Sequence, residues 1–147
     1  MAEAGRLGGR RGSVLMLLPA AVLVFVVLGA IAVDFAVVLL AQRQLANAAA
    51  GAANDAAAEA VDVGSFYASK SVRLAPTRAE EVVRASVGAA GLEGLDDVRT
   101  SVEVAAGEPV VTVTVTARVG YIFAKAVPGG PEWATVEATA AASAEQG

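Results

Sequence analysis

From Ser13 to Ala41 the chain reads SVLMLLPAAVLVFVVLGAIAVDFAVVLLA, an apolar run broken by one charge, Asp34. Ser13 to Val33 alone supplies the roughly 20 successive residues that a helix needs to cross a hydrocarbon core at about 1.5 Å of rise each. Pro19 and Gly29 are poor helix formers in water. In lipid the backbone has no solvent to bond to, so they bend such a helix without ending it. The pattern therefore predicts a transmembrane helix over residues 13–41. A cleaved secretory signal shares the basic start but has an apolar region of only about 7 to 15 residues, so the longer run favours an uncleaved anchor.

The helical signal continues beyond the run. Residues 42–63 hold no proline and abound in alanine, the strongest helix former. Arg43, Asn47, Asp55, Glu59 and Asp62 fall on one polar stripe, and Leu45, Ala49, Ala52, Ala56, Ala60 and Val63 on another face. A face of such small side chains admits close approach by another element. Its partner is either the chain's own outer domain or a second subunit. One rod is expected from Ser13 to about Asp62, ended by Gly64 and Ser65, with a connecting loop over Phe66 to Ala75.

The remainder, 64–147, reads as a small αβ domain. Thr77 to Glu80 has the form of a capping box after Pro76. The second helix that it opens buries Ala79, Val82, Val83, Ser86, Val87 and Ala90, with Gly91 as its cap. Val98, Thr100, Val102 and Val104 alternate with Arg99, Ser101 and Glu103, and VVTVTVTARV repeats the period of two after the turn Ala105 to Pro109. That is a hairpin signature. Gly120 stops the second strand, Tyr121 to Val127 forms a short turn or helix, and Pro128-Gly129-Gly130-Pro131 breaks the chain before a third alternating strand, Trp133 to Ala142. Ser143 to Gly147 is expected to fray. The fold class is thus α+β: a long helix packed with a short one and an antiparallel sheet of about three strands.

Charge adds a direction. Arg6, Arg10 and Arg11 precede the run, and only Arg43 follows before Lys70. The excess of basic residues on one flank places a cytoplasmic tail at residues 1–12 and everything past about Leu40 outside. The net charge of −4 divides into a basic tail and an acidic exterior, a pattern that argues against nucleic-acid binding. The chain has 147 residues and neither cysteine nor histidine. It has no disulfide framework and lacks the usual soft ligands and the neutral-pH base. With no Ser–His or Cys–His pair, phosphate loop or dinucleotide fingerprint, an enzyme, a cofactor site and a small-molecule substrate are not expected. Asp96-Asp97 and Asp55, Glu59 and Asp62 lack the spacing of a calcium loop. The few exterior aromatics, Phe66, Tyr67, Tyr121, Phe123 and Trp133, are expected to dominate whatever core or contact surface exists, with Tyr121, Phe123 and Trp133 favoured as core.

Asp34 needs a reason to stand where it does, because a carboxylate at the centre of a bilayer costs about 2.5 to 3.5 kcal/mol on insertion scales. Either it lies at the outer boundary of a span ending at Val33, or the helix sits deeper and a neighbouring subunit supplies a cation or donor. Arg10-Arg11-Gly12 likewise has two readings: a topology signal, or a peptidase site cleaving between Gly12 and Ser13.

Arg10-Arg11-Gly12, the apolar span ending Ala32-Val33-Asp34, and the following Gln42-Arg43-Gln44-Leu45-Ala46-Asn47-Ala48-Ala49 together resemble the TadE/TadG-like proteins of Flp (tight adherence) pilus assembly. The match covers roughly the first 60 residues. After cleavage at Gly12, Leu17 would stand where type IV prepilins carry glutamate, and small residues near Ala50 replace an acidic position of the family, with Asp55 about a turn later. The resemblance implies a pilin-like, single-pass envelope protein acting as a minor pseudopilin or assembly factor. Its partners would be the lipid bilayer and other pilus proteins, met through helix packing around Asp34, Gln42, Arg43, Leu45 and Asn47. The alternative function is a membrane-anchored module that binds an envelope polymer or protein through Tyr121, Phe123 and Trp133.

Overall fold

A computed structural model describes residues 11–59, 74–105 and 108–144. Helix α1, Arg11–Glu59, runs unbroken for 49 residues with Pro19 inside it. At the α-helical rise it is about 73 Å long. Helix α2 spans Pro76–Ala89, and strands β1 (Leu95–Ala105), β2 (Glu108–Gly120) and β3 (Trp133–Ser143) form an antiparallel sheet in the order β1-β2-β3. A single turn of 3-10 helix, Ala124–Ala126, lies between β2 and β3. This is the α+β arrangement that the hydrophobic pattern predicts.

The two ends of α1 have opposite surroundings. Between Leu17 and Leu40 its large side chains stand outward, Phe25 being 74% and Phe35 70% exposed. The helix is long and apolar enough to cross a membrane. From Leu45 onward the side chains facing the head are buried: Leu45, Ala49, Ala52, Ala53, Ala56 and Ala57. The small-residue face thus packs against the chain's own α2 and sheet, while Arg43, Asn47, Asp55 and Glu59 are exposed. The expected rod end at Asp62 to Gly64, together with Ala60, Val63, Phe66 and Tyr67, lies outside the described residues, as does most of the tail 1–12.

The sheet follows its period-two pattern. Val111, Val113, Val115, Ala117 and Val119 are buried on the inner face of β2, opposite Ala142, Ala140, Ala138, Val136 and Ala134 of β3. On β1, Val102, Thr100 and Val98 pair with Val111, Val113 and Val115. The outer face carries Thr114 and Thr139, whose hydroxyls are 3.0 Å apart. Among the described residues the largest fully buried side chains are one leucine and five valines: Leu45, Val83, Val87, Val111, Val113 and Val115.

Four expectations need correction. Helix α2 starts two residues earlier than a capping box requires: Ala75 is the N-cap in place of Thr77, Pro76 occupies the first turn, and no side chain caps the end. Proline's fixed φ and missing N–H suit that position, so Thr77 is already helical and its hydroxyl is not used as a cap. Ala90 is exposed, and Ser86 is only half-buried, donating from its hydroxyl to Asp55 at 2.7 Å. Gly91 does follow the helix with φ +60. Ser143 is paired with Val110, and the Ala144 N–H donates to Pro109, so the strand runs further toward the C-terminus than expected. Finally, Phe123 and Trp133 are 46% and 55% exposed and Tyr121 is half-buried. The space between an alanine-faced helix and a valine sheet is shallow for rings, and among the described residues the fully buried core holds none.

Candidate functional site

The polar group that the sequence leaves unexplained organises one end of the head. Asp34 is 6% exposed although α1 residues on either side of it are open. Its carboxylate accepts hydrogen bonds from three successive backbone amides: Ile122 at 2.7 Å, Phe123 at 2.9 Å and Ala124 at 2.7 Å. Phe123 N–H also approaches the second oxygen, at 3.2 Å. Successive amides converging at the start of a 3-10 turn form an anion-binding nest, and here the chain supplies the anion itself. Only the ionised carboxylate offers acceptors on both oxygens without presenting a proton to an N–H. Neither earlier reading of Asp34 anticipates this: the donors come from the chain's own backbone, 88 to 90 residues away.

Glycines make the approach possible. Gly120 ends β2, and the Tyr121 N–H donates to the carbonyl of Glu132, closing the neck of the loop. Gly129 has φ +77, and the Gly130 N–H bonds the Val127 carbonyl at 2.8 Å. A side chain at Gly130 would collide with the carbonyl of Ala124, the residue whose amide holds Asp34. The loop is therefore folded back on itself and offers its amides to α1.

Above this contact, an open cleft of about 960 Å³ lies between α1, the α2–β1 connection and the end of β2. Leu40, Gln44, Asn47, Leu92, Glu93 and Arg118 are among its walls. Gly94 anchors the far wall: φ is +69, its carbonyl accepts the Arg118 N–H at 2.8 Å, and an added Cβ would meet the Arg118 carbonyl. Arg118 also pairs with Asp96 at 3.1 Å across the exposed edge.

Of the residues singled out from sequence, Leu45 and Asn47 border this cleft, and Asp34 lies below it in the nest. Gln42 and Arg43 are exposed, and Gly12 and Ser13 fall in the first turn of α1. Among the described residues, no three acidic groups come together as a metal site. The amides of Ile122, Phe123 and Ala124 are the functional groups that sequence reasoning missed, since a backbone donor has no side-chain signature. Comparison with protein-family models, with curated proteins and with solved structures gives no match for this chain.

Proposed function

We propose that the chain is a single-pass envelope protein, with the N-terminus cytoplasmic and the head outside, serving as a minor pseudopilin or assembly factor of a Flp/Tad-type pilus or a related secretion system. The observation that carries this reading is the division of α1. Its first part has the exposed apolar girdle of a lipid-facing span, and its second part is the spine of an αβ head. The basic flank at Arg10 and Arg11 supports the orientation, and the resemblance from Arg10 to Ala49 supports the class of machine.

In this reading the anchor packs laterally with related helices, whose close approach in lipid depends on small residues and packing rather than on apolar burial. Deletion of the chain is expected to abolish piliation or secretion, and detergent-solubilised protein is expected to co-purify with pilus components. Recovery as a monomer with no such component, from cells whose pili are unaffected by the deletion, would overturn it. Mass spectrometry of the mature N-terminus separates an intact anchor beginning at Met1 from one processed to Ser13.

A further inference from the structure

Among the described residues the head buries alanine, valine and leucine, while several of its largest apolar side chains stand outside. Ile122, Phe123, Val127 and Trp133 are 48%, 46%, 60% and 55% exposed, and all belong to the β2–β3 connection or the residue that closes it. Asp34 holds this connection against α1 at Ile122, Phe123 and Ala124, one residue beyond Val33, where the uninterrupted apolar run ends. On α1 the exposed girdle continues past the same level through Phe35, Leu39 and Leu40. The loop patch and the girdle are therefore neighbours at one height along the helix. Lys125 stands exposed within the same turn. Aromatic rings with an apolar body, beside a lysine, are the composition of a membrane–water boundary.

We propose that the connection from Tyr121 to Trp133 rests in the headgroup region of the outer leaflet, with lipid as the occupant of its apolar surface. Continuity with the span selects lipid over a protein partner: the loop is fixed beside the last turns of the exposed girdle, so its apolar side chains share the surroundings of Phe35, Leu39 and Leu40. Asp34 then acts as a positioning residue that sets the loop's height. The inference rests on α1 crossing a bilayer, and its test scores that premise separately.

Trp133 is the single tryptophan of the chain, so its fluorescence reports this surface alone. The full-length protein is reconstituted into phosphatidylcholine vesicles, plain or brominated in the upper acyl chain, and insertion is scored by flotation after alkaline washing. Floated protein should lose about twofold or more of its emission in brominated vesicles and resist acrylamide, as a ring at the headgroup boundary does. Val127→Asp, at an exposed position, should leave flotation unchanged and abolish most of the quenching. Floated protein whose emission is equal in both vesicles overturns the proposal and leaves the anchor intact. That holds whether acrylamide reaches the ring or a second protein or polymer shields it. Protein that fails to float overturns both.

Discussion

Asp34 shows how a residue can be conspicuous in sequence while its role is invisible there. A lone charge in an apolar run demands a partner, but the partner is three backbone amides in a loop that carries no polar side-chain signal of its own. A hydrogen bond to a charged group contributes roughly 1.5 to 3 kcal/mol, and removing the acceptor also leaves buried donors unpaired. Asp34→Ala should therefore destabilise the head by about 2 to 4 kcal/mol and accelerate hydrogen exchange at Ile122, Phe123 and Ala124 in detergent. Asp34→Asn should cost about as much, since its amide turns a donor toward donors. Glycines give a contrasting pair. Gly51→Ala, inside α1 with open space at its Cβ, should stabilise by about 0.5 to 1 kcal/mol in denaturant unfolding. Gly94→Ala, with positive φ and the Arg118 carbonyl in the way, should destabilise by about 2 kcal/mol or more in the same assay.

At the level of elements, periodicity carried most of the information. The alternation of valine and threonine in VVTVTVTARV determined both the strand and its buried face, because a one-residue slip would turn every valine outward. Ala79, Val82, Val83 and Val87 were likewise legible as the inner stripe of α2. Its start was not, because Thr77 to Glu80 and Pro76 offered competing signals and the proline won. Phe123 and Trp133 were misassigned for a geometric reason. Their bulk suggested a core, but beyond Leu45 the described face that α1 turns to the head is all alanine, with Ala52 and Ala56 fully buried. Ala56→Leu should therefore overpack that layer and destabilise by about 1 to 3 kcal/mol, a loss read from thermal unfolding. Ala58→Leu, on the exposed side, should change stability by no more than about 0.5 kcal/mol.

For the whole molecule, the separation of girdle and core predicts separable behaviour. Among the described residues the buried set begins at Leu45 and ends at Ala144, apart from Asp34. Removing residues 1–32 should therefore release a folded head into the aqueous fraction, as judged by circular dichroism and cooperative unfolding, while the full chain should need detergent. The division between an apolar rod and a small αβ head was plain in the sequence; the contact joining them, from residue 34 to residues 122–124, depended on the tertiary fold. One consequence follows from α1 continuing from its apolar part into the head without a break. No slack linker separates the two parts, and the Asp34 contact braces the corner between them. A pull or twist delivered to the head is borne by consecutive helical hydrogen bonds and reaches the exposed apolar part without first straightening a coil. The chain is built like a drive shaft, able to carry load from the head to the far end of its apolar rod.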